Sequence, residues 1–189
     1  MTEPSTPPNE PPPKADHRQP SLVLVNTGDG KGKSTAAFGT AMRAVARDWR
    51  VGVVQFLKSG DWSVGEEKVG RRLGIDWWAL GDGFTWDSED MEESEAIAGE
   101  AWARAKERIT SGEYDLLILD EITYPINWGW IDIEDVLYAI ETRPAGLNLI
   151  LTGRDAPPAL IEVADTATEM RKLKHAFDQG VMARRGIDY

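Results

Sequence analysis

The chain has 189 residues, no cysteine and a formal net charge of −11, from 32 Asp and Glu against 21 Lys and Arg. That balance argues against a general nucleic-acid binder, which needs a basic footprint, and favours a small-molecule substrate. Without cysteine there is no disulfide framework, thiolate metal site or cysteine nucleophile, and the composition suits a reducing cytosol.

In chain order, residues 1–20 come first, with prolines at 4, 7, 8, 11, 12, 13 and 20 among polar residues. They cannot bury enough apolar surface to offset ordering entropy and are predicted to be a disordered, Pro-rich tail. The stretch is acidic where a signal peptide would be basic and then apolar, and no run approaches membrane-span length. A cytoplasmic protein with no membrane partner is expected. Residues 21–189 are long enough for one domain with a substantial core.

Leu22 to Val25 is a short apolar run, and Ala36 to Trp49 has the Ala, Met and Arg content of a helix. Between them lies Thr27-Gly28-Asp29-Gly30-Lys31-Gly32-Lys33-Ser34-Thr35. Strand, Gly-rich turn, helix is the context of a phosphate loop, in which backbone N–H groups and a helix N-terminus converge on phosphate oxygens. Gly28 to Thr35 are therefore the candidate triphosphate cradle. Lys33 adds a mobile charge, and the Ser34 hydroxyl is a candidate Mg²⁺ ligand. The common pattern G-x-x-x-x-G-K-S/T wants Gly at position 27, where this chain has Thr27; a variant loop shape is predicted.

Val51 to Leu57 reads as a buried second strand ending at Lys58-Ser59-Gly60. Loops at carboxyl strand ends line ligand crevices in open α/β sheets, so Lys58 is either a phosphate or substrate contact or a solvated loop lysine. Residues 62–73 read as a short helix and Ile75 to Leu80 as a third strand. Gly81 to Asp87 is a Gly-punctuated loop carrying Phe84 and Trp86, which either fold into the core or flank a flat ligand. A long helix follows, capped by Asp87 or Ser88, with Ala98, Ala101, Trp102, Ala105 and Ile109 on its apolar stripe.

Asp115 to Glu121 is an apolar strand ending in two carboxylates. Paired with the loop upstream, it reads as the second half of a nucleotide site, Asp120 or Glu121 holding Mg²⁺ directly or through its water shell. Tyr124-Pro125 and Trp128-Gly129-Trp130 make an aromatic connection, read as packing or a subunit interface. Ile133 to Thr142 is a predicted helix, Leu147 to Leu151 a fifth strand, Ala159 to Ala164 a short helix and Thr168 to Lys174 the last strand. Arg154, just past the fifth strand, reaches either phosphate or a side chain of a second substrate, or pairs with a structural Asp. The alternation gives a three-layer α/β P-loop nucleotide-binding fold with a mostly parallel sheet.

Several pieces together resemble one family: T-G-D-G-K-G-K-S-T at 27–35, V-Q-F-L-K at 54–58, G-F-T-W-D at 83–87, L-D-E at 119–121 and L-T-G-R-D-A-P-P at 151–158. Thr168-Glu169-Met170, Lys174-His175 and Arg185-Gly186-Ile187 fit too. The stretch from about Leu22 to Tyr189 is similar to the ATP:corrinoid adenosyltransferases of the CobA/CobO/BtuR type. The resemblance implies transfer of the 5′-deoxyadenosyl group of ATP to Co(I) of a reduced corrinoid, with triphosphate leaving. It also implies ATP bound in reverse on the loop, Lys33 neutralising the leaving group, and Ser34, Asp120 and Glu121 serving Mg²⁺. Phe84 and Trp86 match the family's aromatic pair, which displaces the corrinoid's lower axial ligand and so raises the Co(II) reduction potential. A homodimer and a flavoprotein reductant are implied as partners. Two other readings share these motifs: a P-loop ATPase or kinase in which Glu121 positions a water or acceptor, and a carrier that binds without turnover.

Overall fold

A computed structural model describes residues 17–57, 65–81 and 91–188. The predicted contacts Lys58, Phe84 and Trp86, the caps Asp87 and Ser88, and most of the predicted tail lie outside these residues.

Six strands form one sheet: β1 Val23–Thr27, β2 Val51–Gln55, β3 Asp76–Ala79, β4 Leu116–Asp120, β5 Asn148–Thr152 and β6 Thr166–Glu169, in the order β3-β2-β4-β5-β1-β6. Every pairing is parallel, with Val25 opposite Leu151 and Gln55 opposite Asp120. β2 and β4 are buried at every position. Central parallel strands covered on both faces read as continuous apolar runs, which is why these two were legible.

Helices cover both faces. Helix α1, Lys33–Val45, lays Ala37, Phe38 and Ala41 against Val53, Trp77, Ile118 and Ile150. Helix α2 is Gly65–Arg72, and α3 is Met91–Thr110. The expected stripe of α3 is buried at Ala98, Ala101, Trp102, Ala105 and Ile109. With α5, Ile133–Glu141, and α6, Pro158–Val163, α3 covers the opposite sheet face, where Val54, Leu117, Leu119, Leu149 and Leu151 are buried. Truncating a leucine such as Leu119 there to Ala would cost about 2–5 kcal/mol.

Two local expectations differ from the structure. The aromatic connection after β4 contains a helical turn, α4 Thr123–Asn127, with Pro125 inside its first turn, where a missing N–H costs nothing. The last strand is Thr166–Glu169, not Thr168 to Lys174, and all four of its residues are exposed. An edge strand held by backbone pairing to β1 has no apolar run to mark it. Beyond it, a 3-10 turn at Ala176–Gln179 starts at His175, whose Nδ1 accepts from the Phe177 N–H at 3.1 Å.

Candidate functional site

The phosphate loop is built by its glycines. Gly28 and Gly32 lie at φ 95° and 119°, in the left-handed region that a side chain strains. Gly32 caps α1 without a side chain, so the first N–H groups of a 13-residue helix are left facing the loop. That is an anion-binding end in the sense the motif requires.

Lys33 is half-buried and folded back on the loop, its Nζ donating to the Gly28 and Gly30 carbonyls at 2.7 Å each. Burial, then the nearby Arg154 charge, lowers its pKa, while Glu121, Asp29 and Asp120 pull the other way. The same ammonium that closes the loop is thus the charge available to a triphosphate. Thr27, where the common pattern has Gly, is buried, and its hydroxyl accepts from the Ala156 N–H at 3.0 Å. The departure therefore has a structural reason: it ties the loop to the turn after β5.

The strand-end carboxylates stand two strands away, since β5 lies between β1 and β4. Asp120 is fully buried and accepts from Gln55 Nε2 at 2.9 Å and from Thr152 Oγ1 at 2.7 Å. Glu121 is half-buried, in the left-handed region at φ 65°, and its N–H donates to Thr152 Oγ1 at 2.9 Å. A non-glycine residue there carries strain of order 1–3 kcal/mol, a feature that clusters at functional sites. Asp155, at φ 50°, is a second such residue on the same rim.

Arg154 is exposed and forms no ion pair with a carboxylate among the described residues, so the structural Asp partner is not found. Its carbonyl accepts from Thr123 Oγ1 at 2.6 Å, and its charge acts on both Lys33 and Tyr124. Gly153 makes that packing possible, because a Cβ there would lie 1.9 Å from Thr123 Oγ1. Lys31 and Asp29 are exposed, and the Lys31 Nζ lies 3.0 Å from Asp188 near the end of the chain.

Among the described residues no group of three or more His, Cys, Asp or Glu is arranged to hold a metal by itself. A Mg²⁺ ion that arrives on a triphosphate needs less: phosphate oxygens, waters, and one or two protein oxygens. Ser34 in the first turn of α1 and the carboxylates ending β4 are of that chemistry, so the residues fit.

Residues 19–189 match the family described as ATP:corrinoid adenosyltransferase BtuR/CobO/CobP. The chain belongs to this family. Its relatives include the corrinoid adenosyltransferase of Escherichia coli K12, 44% identical over 168 residues, or 89% of this chain and 85% of that one. The corrinoid adenosyltransferase CobA of Salmonella typhimurium is 41% identical over the same shares. The corrinoid adenosyltransferase of Pseudomonas aeruginosa is 41% identical over 89% of this chain and 83% of its own. For this adenosyltransferase-family chain the resemblance carried by those motifs is therefore borne out over residues 19–189.

Two parts of the site were not read from the sequence. The backbone of Met170 lies against the loop, its carbonyl accepting from the Gly30 N–H at 2.5 Å and its N–H donating to the Thr27 carbonyl at 2.7 Å. The second is the set of polar side chains closing β1, β2 and β5, namely Asn26, Gln55 and Thr152. Their signal was present: each stands last or next to last in its strand, directly after a run of apolar residues.

Proposed function

We propose that this chain transfers the 5′-deoxyadenosyl group of ATP to the Co(I) of a corrinoid, in adenosylcobalamin biosynthesis or corrinoid salvage. The observation that carries this reading is the family match from residue 19 to 189, which spans the phosphate loop and the strand-end carboxylates together. The electron balance is simple. The Co(I) pair forms a cobalt–carbon bond to C5′, the C5′–oxygen bond breaks, and inorganic triphosphate leaves with that bond's electrons. No protein nucleophile is needed, which suits a chain without cysteine and with two histidines.

The chain's own residues bind and orient. Gly28 to Thr35 cradle the triphosphate with backbone N–H groups, and Lys33 exchanges its two loop carbonyls for phosphate oxygens. Ser34, Asp120 and Glu121 would hold Mg²⁺, which when bound neutralises charge on the leaving triphosphate. Arg154, without an ion pair among the described residues, is read against phosphate or a corrinoid side chain, and Lys58 likewise. Phe84 and Trp86 are read, by the family's pattern, as the apolar wall that excludes the lower axial ligand, with a flavoprotein supplying the electron for Co(II). The enzyme is read as cytoplasmic and homodimeric; among the described residues no helix is long and apolar enough to cross a membrane.

The test is Lys33→Ala. Triphosphate release and corrinoid adenosylation should fall together, by about 100-fold or more. Unchanged turnover in that variant would contradict the reading.

A further inference from the structure

We propose that Gln55 and Thr152, with Trp77 setting the orientation of the Gln55 amide, are positioning residues that fix Asp120 and, through it, Glu121. The inference rests on the adenosyltransferase reading only in what the carboxylates are for; the network itself is a matter of geometry.

The row runs across four strands. Trp77 on β3 donates its Nε1–H to Gln55 Oε1 at 2.8 Å, and both groups are buried. Gln55 on β2 donates from Nε2 to Asp120 Oδ2 at 2.9 Å, and the two are register partners. Thr152 on β5 donates to Asp120 Oδ1 at 2.7 Å and accepts the Glu121 N–H at 2.9 Å.

The sense of every bond is forced from the two ends. An indole N–H only donates, so the Gln55 oxygen must face it and the Gln55 nitrogen must face Asp120. A backbone N–H also only donates, so the Thr152 oxygen accepts from Glu121 and its single hydrogen is left for Asp120. Both chains of donors converge on one fully buried carboxylate, each of whose oxygens accepts a protein bond. Asp120 is thereby fixed in one rotamer as an acceptor, with its remaining lone pairs directed by those bonds.

The consequence reaches the next residue. Glu121 takes a left-handed backbone, φ 65°, directly after this network, and its N–H is anchored on the same hydroxyl. The geometry therefore divides the pair: Asp120 is the buried hub, and Glu121 is the half-buried carboxylate whose backbone is set by the same hydroxyl. Partners one shell behind a metal or phosphate group typically change affinity or activity 10–100-fold when removed.

The experiment compares wild type, Thr152→Val, Thr152→Ser, Gln55→Leu, Trp77→Phe and the Trp77→Phe/Gln55→Leu double variant. For each, kcat and KM for corrinoid are measured well below the thermal midpoint, with the Mg²⁺ concentration that half-saturates ATP binding by calorimetry. Thr152→Val and Gln55→Leu should each lower kcat about 10–100-fold and raise the Mg²⁺ requirement about 10-fold, with KM for corrinoid within about 2-fold. Thr152→Ser should return both readouts to within about 3-fold of wild type. The double variant should be no worse than Gln55→Leu alone, because Trp77 acts through Gln55. If Gln55→Leu does not fold, the Thr152 pair decides. Unchanged kcat and Mg²⁺ requirement in Thr152→Val, failure of Thr152→Ser to rescue, or multiplied losses in the double variant would each overturn the inference. A wild type that adenosylates nothing would instead count against the proposed function.

Discussion

Gly30 and Met170 are joined backbone to backbone: the Gly30 N–H donates to the Met170 carbonyl at 2.5 Å, and a Cβ on Gly30 would stand 2.6 Å from that oxygen. The phosphate loop is therefore pressed against the segment that follows the edge strand. Gly30→Ala must push one backbone off the other, at about 1–3 kcal/mol, with a fall of several degrees in Tm. Gly39→Ala is the internal control, since that α1 position has nothing within 4 Å of an added Cβ; it should stabilise by about 0.5–1 kcal/mol. Equal Tm changes of the same sign would contradict the contact.

Asp188 and Lys31 carry a pH prediction. The Arg184 N–H first, then Lys31, holds the Asp188 carboxyl below its ordinary 3.8. A depressed carboxyl contributes stability that is full above its ordinary value and is lost as pH falls through the lowered one. Carboxyl-carbon NMR should find the Asp188 midpoint below 3.8, and Lys31→Ala should raise it only part of the way, because the backbone bond remains. A midpoint indifferent to Lys31 would contradict the pairing.

Tyr114 works in the opposite direction. Burial first, then its hydrogen bond to Asp76 Oδ2 at 2.9 Å, raises its hydroxyl from 10.0 to about 12. The neutral form is favoured in the folded chain, so this contribution is present below pH 10 and is lost as pH rises toward about 12. Ultraviolet difference titration should show a phenol step near 12 that disappears in Tyr114→Phe, while the Tyr124 phenol, also raised by burial, still titrates above its ordinary value. A full set of tyrosines titrating near 10 would contradict it.

The C-terminal segment exposes Leu173, Phe177, Met182 and Ile187 at 84%, 74%, 87% and 68%. In the homodimer proposed above, a second copy would cover side chains of this kind. Sedimentation of the wild type should give a dimer, and Leu173→Asp with Phe177→Asp should shift it to monomer while Tm of the monomer domain changes little. A wild-type monomer at micromolar concentration would contradict the dimer.

The interior strands were legible because a parallel strand buried on both faces must be apolar throughout, as β2 and β4 are. The loop and strand-end carboxylates were legible because residue type and spacing carry their chemistry. β6 was misplaced because its residues are exposed and held by backbone pairing, which leaves no trace in composition. Helix α4 was hidden by Pro125 and its aromatic neighbours, which look like a connection. The network around Asp120 escaped for a different reason: Gln55 reads as one position inside the Val51 to Leu57 run and Thr152 as the residue just past Leu151, and only the sheet order brings them to one carboxylate.

The central claim is adenosyl transfer, and one measurement tests it most directly. The purified protein is mixed anaerobically, in dim light, with Mg-ATP and a chemically reduced Co(I) corrinoid, and the visible spectrum and phosphate products are followed. The account predicts a photolabile cobalt–carbon product with one triphosphate released per corrinoid consumed. ADP and inorganic phosphate beside an unchanged corrinoid would contradict it.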